Sequence, residues 1–239
     1  MIAVTTAIGY LTAVPALSVV LLLVVIQDAL GNQRLFDRLI KAICRGLPLA
    51  FGVRVRTVGL HAGDRAETTR PVIYMANHVN IFDPVILYGH IPRFVRAIEL
   101  EDHFAWPVWG TIVRRAGNIP ISHRHPRRAL ESLRRAAEVL AAGTSLVVLP
   151  EGHRTRSGEL GPFMRGAFRL AGDARVDIVP VALVGLYERK TVHSPLVRPG
   201  TVVVAFGARV PAATVAALGE RDLIARVRAE IDELLRRPR

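Results

Sequence analysis

The sequence predicts an α/β protein in which a mixed sheet is flanked by helices and preceded by an N-terminal membrane-associated helical segment. Two observations lead to this fold. Beyond residue 50, short apolar runs typical of buried strands alternate with helical patterns. Before it, residues 2–26 carry no charged side chain. We therefore expect residues 1–49 to form a transmembrane or monotopic helix plus an amphipathic helix. Residues 50–239 are expected to form one α/β domain.

The individual elements follow from hydrophobic periodicity. The segment 126–142 is typical, because Pro126 opens a pattern of apolar residues at helical spacing and Gly143 follows its end. The expected strands are the apolar runs 72–75, 94–98, 118–121, 146–149, 178–184 and 202–206. The expected helices are roughly residues 84–90, 103–115, 126–142, 163–172 and 220–237. The arginines of the last helix are expected to be solvated, with membrane contact as the alternative: Arg221, Arg226, Arg228, Arg236 and Arg237.

The uncharged N-terminal segment is long enough to cross a membrane. As a helix, residues 2–26 would span roughly 37 Å at about 1.5 Å per residue, against a hydrocarbon core of about 30 Å. Gly9 and Pro15 interrupt it, so a kinked helix or a half-inserted hairpin is an alternative. Basic residues follow the segment and none precede it, which predicts that the rest of the chain is on the cytoplasmic side.

Residues 34–47 form an amphipathic pattern. Apolar residues recur at helical spacing, and basic side chains stand elsewhere around the axis, including Lys41, which can pair with Asp37. One interpretation is a helix that packs its apolar face on the globular domain. The other is a helix in the headgroup layer with its basic side chains on lipid phosphates. The two interpretations are compatible, since they concern different faces.

The composition favours an anionic membrane surface as a partner. The net charge of +12 indicates an anionic partner. A hydrophobic content of 51% and the absence of aromatic residues interleaved with basic ones argue against nucleic acid. The single cysteine, Cys44, excludes an intramolecular disulfide and a multi-cysteine metal site. The sequence does not indicate an oligomeric state.

The most informative segment is residues 77–83, Asn-His-Val-Asn-Ile-Phe-Asp, which follow the expected strand 72–75. One turn of chain can bring His78 and Asp83 together, and an imidazole held by a carboxylate can take a proton from a hydroxyl. No nucleophilic serine or cysteine motif stands beside them, so the histidine would act directly on a substrate. The alternative is a loop histidine followed by an Asp-Pro turn that caps the next helix.

A second polar segment, residues 150–158, follows the expected strand 146–149. Carboxyl ends of strands are where open α/β sheets bind ligands. Arg154 and Arg156 are suited to hold a phosphate, and Glu151 is suited to orient a hydroxyl or pair with an arginine. The alternative is a turn with a surface Glu–Arg pair. Beyond it, residues 162–168 contain a Gly-Ala pair that allows a helix start to approach neighbouring backbone closely.

Taken in order, these segments resemble the motifs of the glycerolipid acyltransferases typified by the 1-acyl-glycerol-3-phosphate (lysophosphatidate) acyltransferases. Asn77, His78 and Asp83 match the first motif. Residues 149–155 match the third motif, Phe-Pro-Glu-Gly-Thr-Arg-Ser, with Pro, Glu151, Gly152 and Arg154 intact. Residues 163–168 resemble a following Phe-Lys-Lys-Gly-Ala-Phe pattern, and residues 179–181 read Val-Pro-Val, the fourth motif.

Two departures from the family pattern concern the acceptor. The final arginine of the second motif is thought to bind the acceptor's phosphate, and here His123 occupies that position with Arg124 one place later. A lysine that commonly precedes a Glu-Leu pair is replaced by Ala97, with Arg96 beside it. A shift of one residue along a strand reverses the face. The resemblance therefore supports acyl transfer more strongly than it supports lysophosphatidate as the acceptor.

The resemblance implies a mechanism without metal, cofactor or covalent enzyme intermediate. Asp83 would orient His78, which would deprotonate a lysolipid hydroxyl for attack on an acyl thioester, either acyl-CoA or acyl carrier protein. Asn77, Glu151, Gly152, Arg154, His123 and Arg124 are the expected substrate-binding residues. The expected acceptor is 1-acyl-glycerol-3-phosphate, and the alternatives are a lyso-aminolipid or another lysophospholipid. Two other classes remain open: a thioester or lipid hydrolase, and a non-enzymatic membrane adaptor.

The remaining histidines and the tryptophans are expected to be structural. Trp106 and Trp109 are expected in the core, with an anchor at the bilayer interface as the alternative. The scattered histidines are expected to be surface or hydrogen-bonded core residues and not zinc ligands: His61, His90, His103, His125 and His193.

Overall fold

The structure, a computed structural model, describes residues 2–60 and 70–237. Within these residues a seven-stranded sheet has the order β1-β7-β6-β2-β5-β3-β4. All strand pairs are parallel except β6 and β7, so the sheet is mixed, as predicted. The strands are β1 Val53–Val58, β2 Val72–Ala76, β3 Val95–Leu100, β4 Ile119–Ile121, β5 Ser145–Val148, β6 Asp177–Val184 and β7 Gly200–Phe206.

Helices cover both faces of this sheet. They are α1 Ile2–Ala29, α2 Asp37–Ala50, α3 Asp83–His90, α4 Trp109–Arg115, α5 Pro126–Ala141, α6 Arg165–Ala174, α7 Leu186–Arg189, α8 Ala212–Ala217 and α9 Glu220–Arg236. The apolar side chains of α5, α6, α8 and α9 form one cluster with the sheet. Those of α2, α3 and α7 form a second cluster on the opposite face, which α1 joins. The α/β fold with flanking helices is therefore confirmed.

The sequence pattern did not predict β1, and it predicted one helix over residues 103–115 where the structure has a 3₁₀ turn and a shorter helix. The strand β1 alternates apolar residues with Arg54 and Arg56, as expected for an edge strand with one solvated face, and it has no continuous apolar run. The expected helix 103–115 is wrong in its first half. A 3₁₀ turn, Glu101–Ala105, ends before Pro107, and α4 begins only after it. Trp106, expected in the core, is 44% exposed at this break.

The N-terminal helix α1 is one continuous helix, so a hairpin within residues 2–26 is wrong. It is the one described helix that is long and apolar enough to cross a membrane. Near its start, the Thr6 hydroxyl hydrogen-bonds with the backbone of Val197, and Gly9 lies against the ring of Phe51. Near its end, Asp28 forms a 2.6 Å ion pair with Arg115. The helix therefore contacts the α/β domain close to both of its ends.

The amphipathic helix α2 packs on the domain more completely than the pattern indicated. Lys41, which one of the two interpretations placed on lipid phosphates, is buried. It forms the expected ion pair with Asp37 at 3.3 Å and donates to the Arg93 carbonyl at 2.6 Å. Arg45 donates to the carbonyl of Gly89 at 2.6 Å. Basic side chains thus dock this helix on α3 and on the segment between α3 and β3. The exposed face of α2 keeps Leu39 and other apolar residues in solvent.

The contact between α1 and the domain gives a first prediction. A Cβ on Gly9 would overlap the ring of Phe51, whereas a Cβ on Gly46 in α2 meets nothing within 4 Å. Overpacking costs about 1–3 kcal/mol, and an open helical glycine gains roughly 0.5–1 kcal/mol on mutation to alanine. We expect Gly9→Ala to lower the unfolding temperature in detergent and Gly46→Ala to leave it unchanged or raise it. An equal effect of the two variants would show that α1 does not pack here.

Candidate active site

The candidate site forms where β2 ends, between β5 and β6 in the middle of the sheet. The strand is buried over its whole length, and the chain then turns through residues 77–82 into α3. Carboxyl ends of parallel strands in an open sheet are where ligands bind. The fold therefore places His78 at an edge suited to a ligand.

His78 and Asp83 are in direct contact, as their spacing predicted. The Nδ1 atom of His78 lies 2.6 Å from Oδ2 of Asp83. The Asp83 side chain is fully buried, whereas that of His78 keeps 19% of its surface accessible. A carboxylate only accepts hydrogen bonds, so this contact favours a proton on Nδ1. The other nitrogen, Nε2, is then free to act as a base.

Asp83 also organises the turn that carries His78. Its Oδ2 accepts the backbone N–H of Val79 at 2.6 Å, and its Oδ1 accepts that of Asn80 at 2.9 Å. It stands in the first turn of α3, where the helix dipole favours a carboxylate, and Pro84 follows it. Asp83 therefore holds the turn and the imidazole together, and its oxygens bind amides of the preceding turn and do not cap α3.

Asn77 and Asn80 tie this turn to neighbouring elements. Both side chains are buried. The Asn77 Oδ1 accepts the N–H of Leu183 in β6 at 2.7 Å. The Asn80 Nδ2 donates to the carbonyl of Lys190 at 2.7 Å. Asn77, expected to bind substrate, thus has a structural contact with the central sheet.

Glu151 supports His78 from the neighbouring loop. Its Oε1 accepts the backbone N–H of His78 at 2.7 Å, and its Oε2 accepts that of Gly161 at 2.6 Å. Burial raises the pKa of this carboxyl above its ordinary value, while the two N–H donors act in the opposite direction. Sequence reasoning gave Glu151 a hydroxyl or an arginine as its partner. In the structure its two oxygens hold backbone amides instead.

The loop of residues 150–158 lies directly against the turn that carries His78. The N–H of Thr155 donates to the His78 carbonyl at 2.8 Å. Gly152 has a φ of +68°, and a Cβ there would come within 2.5 Å of the Met164 sulfur. The left-handed backbone therefore favours glycine at this position, and any larger residue would also displace the Met164 side chain.

Arg154 is exposed on this loop and lies near a second cation. Burial first, and then the charge of Arg154, lower the pKa of the Lys190 ammonium. Neighbouring positive charges favour an anionic ligand. Arg156 is also exposed, and its carbonyl accepts the hydroxyl of Tyr187 at 2.7 Å. The expectation that Arg154 binds substrate stays a prediction, and the nearby positive charge of Lys190 supports it.

The structure separates His123 from Arg124. The ring of His123 lies 5.3 Å from that of His153 and beside Gly152, and its Nδ1 is buried without a hydrogen-bond partner among the described residues. Burial, followed by the nearby His153, lowers the pKa of His123. Arg124 is 70% exposed and pairs with Asp102. His123, and not Arg124, therefore contacts the loop of residues 150–158.

Ala97, which stands where the family commonly has a lysine, and its neighbour Arg96 both have structural roles. Ala97 lies in β3, and its N–H donates to Asn118 at 3.1 Å. Arg96 is buried, stacks over Phe94 and donates to Gln33 at 2.8 Å. Burial lowers the pKa of Arg96 to about 10. Arg96 thus holds the connection between α1 and α2.

An apolar cavity beside the turn that carries His78 was not predicted. It has a volume of about 110 Å³ and lies between α1, α2, α3, α4 and the sheet. Pro84 and Val85, next to Asp83, form one part of its wall, and Ala97 and Val20 form others. The only signal in the sequence was the small side chain at position 97. Its walls come from elements far apart in the chain, so no local pattern reveals it.

The other histidines do not form a metal site in the described part of the chain. His90 bonds its own helix at Ile86, and His103 lies 3.0 Å from Glu99. No group of three potential ligands is found within residues 2–60 and 70–237. His61 lies outside the described residues.

The architecture is similar to that of a solved acyltransferase. The crystal structure of the 1-acyl-sn-glycerophosphate (LPA) acyltransferase PlsC from Thermotoga maritima matches all of this chain and 98% of its own, with a TM-score of 0.79 and 20% sequence identity. At this identity, the likeness shows a common fold.

Curated relatives match the central part of the sequence. A 1-acyl-sn-glycerol-3-phosphate acyltransferase of Cocos nucifera is 30% identical over 145 residues, covering 60% of this chain and 47% of that protein. A chloroplastic protein of the same name from Brassica napus is 33% identical over 115 residues, or 48% of this chain and 33% of that protein. The match therefore spans less than half of either relative.

A family model extends this finding to the candidate site. The model described as Acyltransferase matches residues 57–184, more than half of the chain. The matched range includes His78, Asp83 and Glu151, together with the loop of residues 150–158. On this evidence the protein belongs to the Acyltransferase family.

Proposed function

We propose that this protein is a membrane-associated O-acyltransferase that transfers a fatty acyl group from an acyl thioester to the hydroxyl of a lysolipid. The observation that carries the proposal is the contact between the accessible His78 imidazole and the buried Asp83 carboxylate at 2.6 Å. The proposed acceptor is 1-acyl-glycerol-3-phosphate, after the names of the curated relatives. The product is then phosphatidate.

The proposed reaction is a direct transfer. The Nε2 atom of His78 takes the proton from the acceptor hydroxyl, and the oxygen attacks the thioester carbonyl. The tetrahedral oxyanion collapses, the carbon–sulfur bond breaks, and the thiolate receives the proton. Asp83 stabilises the imidazolium that forms in between. The donor is acyl-CoA or acyl carrier protein, and no cofactor or metal takes part.

The cavity beside α3 is suited to the apolar substrate. Its walls are mostly apolar, with Gln27, Arg96 and Asn118 as polar members, and Pro84 and Val85 bring it next to Asp83. Burying methylene groups there gains about 0.8 kcal/mol each. We assign this cavity to a fatty acyl chain and the exposed Arg154 to the anionic end of a substrate. Lys190 is buried and donates to the carbonyls of Thr191 and Ser194, so it adds positive charge behind Arg154 without contacting the ligand.

We further propose that α1 lies in one membrane leaflet and does not span the bilayer. A spanning orientation would break the contacts of Thr6 and Asp28 with the domain or draw the polar domain into hydrocarbon. The face of α1 away from the domain is apolar, with Leu11 75% and Val14 68% exposed. Such a face can be buried in the headgroup and acyl boundary. The proposed location is the cytoplasmic face, because the cytoplasmic leaflet is negatively charged and the chain carries a net charge of +12.

Removing the base tests the chemistry. We expect His78→Ala to lower acyl transfer by about 10²–10⁴-fold, because general-base catalysis contributes that much. The matched control is His193→Ala, since His193 is exposed and lies outside the site. The measurement is thiol release from acyl-CoA and acyl carrier protein, with and without lysophosphatidate. Near-normal transfer by His78→Ala would refute the mechanism, and acceptor-independent release would indicate a hydrolase.

The His123 position gives a pH-dependent prediction. Since the pKa of His123 is lowered, the imidazole is neutral near pH 7 and gains its charge on acidification. We therefore expect the KM for lysophosphatidate to fall as the pH is lowered, because a cation attracts the phosphate. His123→Arg should give a low KM that depends less on pH.

An uncharged acceptor, monoacylglycerol, controls for other titrations, and its KM should change little in either protein. The ionisation of the acceptor phosphate is common to wild type and variant, so their difference isolates His123. An identical pH dependence in both proteins would exclude His123 from the acceptor site.

A further inference from the structure

The C-terminal helix α9 lies beyond the residues that the family model matches, yet it contacts the candidate site. Arg228, expected to be solvated, is half-buried. Its Nη2 donates to the carbonyl of Leu160 at 2.8 Å, and its Nη1 donates to the carbonyl of Gly161. Its guanidinium also lies 5.5 Å from the centre of the Phe163 ring. The expectation of a solvated side chain is therefore wrong for this arginine.

The segment that Arg228 holds is the one that holds Glu151. The N–H of Gly161 donates to Oε2 of Glu151 at 2.6 Å, and Oε1 of Glu151 accepts the N–H of His78 at 2.7 Å. The approach is close, because a Cβ on Gly161 would lie 3.0 Å from Oε2. A continuous series of hydrogen bonds thus joins α9 to the backbone of His78.

The chemistry of the link suits an arginine. Residues 157–164 have no helix or strand to fix them. A guanidinium is planar and carries donors in a fixed fork, so it can hold adjacent carbonyl groups in one geometry. A lysine at this position supplies a point charge without that orientation. The amide of Met164, which donates to the Pro150 carbonyl at 2.7 Å, holds the end of this segment, and Arg228 holds its two central carbonyl groups.

The docking of α9 itself does not depend on this arginine. The helix buries Leu223, Val227, Ile231 and Leu234 in the core cluster with β6. Arg226 on the same helix is exposed. Loss of the Arg228 guanidinium should therefore leave α9 in place and release only the loop.

We propose that Arg228 is a positioning residue for the acyl transfer, acting through Gly161 and Glu151 to hold His78 in its working orientation. It touches no reacting group. The proposal rests on the proposed function for its kinetic consequence, while the series of hydrogen bonds stands independently of it.

The kinetic test uses Arg228→Gln and Arg228→Lys, with Arg226→Gln as the matched control. We expect Arg228→Gln to lower kcat by about 10- to 100-fold with a nearly unchanged KM for the thioester, because a small misplacement of a catalytic group has such effects. Arg228→Lys should recover part of the loss, and Arg226→Gln should resemble wild type. A kcat of wild-type size in Arg228→Gln would overturn the proposal.

A double-mutant cycle with Glu151→Gln tests the route. Because both residues act through one series of contacts, we expect the double variant to be hardly worse than Glu151→Gln alone. Independent losses that multiply would show that Arg228 acts by another route. The unfolding temperature and the folded fraction of each variant are measured alongside. If the smaller folded fraction of Arg228→Gln accounted for its whole loss of activity, the proposal would also be overturned.

Amide hydrogen exchange separates this proposal from the proposed function. We expect the His78 and Gly161 amides to exchange faster in Arg228→Gln than in wild type, and unchanged exchange in Arg226→Gln. If wild type transferred no acyl group but these amides still lost protection, the function would fail and the positioning role would stand. Unchanged exchange in Arg228→Gln would refute the positioning role.

Discussion

The hydrogen bonds of the buried Asp83 carboxylate are the interaction on which the rest of the site depends. This side chain is fully buried, and a buried charge is tolerated only when it is paired and hydrogen-bonded. Its partners are the His78 imidazole and the N–H groups of Val79 and Asn80. The same donors that stabilise the charge therefore set the shape of the turn and the orientation of the base.

A second buried carboxylate extends this principle outward. Glu151 satisfies its oxygens with the amides of His78 and Gly161, and Arg228 in turn orients the carbonyl groups of that segment. The site is thus held by side chains that bind backbone groups, and the His78 imidazole is the part of it that solvent and substrate can reach. A base held in this way has little reorganisation left to undergo when a hydroxyl arrives, which is the general advantage of a preorganised site. The apolar cavity beside Pro84 provides room for the lipid part of a substrate.

Local patterns predicted the features that depend on local chain geometry. The buried strands read as apolar runs because both faces of the sheet are covered. The contact of His78 with Asp83 was predicted because one turn of chain joins them. The roles of Glu151 and Arg228 could not be predicted, since Glu151 is 73 residues from His78, Arg228 is 67 residues from Gly161, and only the tertiary fold brings them together. The contact of Lys41 with the Arg93 carbonyl could not be predicted either, because periodicity describes one helix and not the surface against which it packs.

The tautomer of His78 is the most direct test of this account, because the role of Asp83 requires the proton on Nδ1. The measurement is the nitrogen-15 chemical shift of both ring nitrogens in detergent-solubilised protein, at a pH where the imidazole is neutral. Under this assignment of roles, Nδ1 is protonated and Nε2 is not. A protonated Nε2 in the neutral ring would contradict it, because the atom assigned as the base would then already carry a proton.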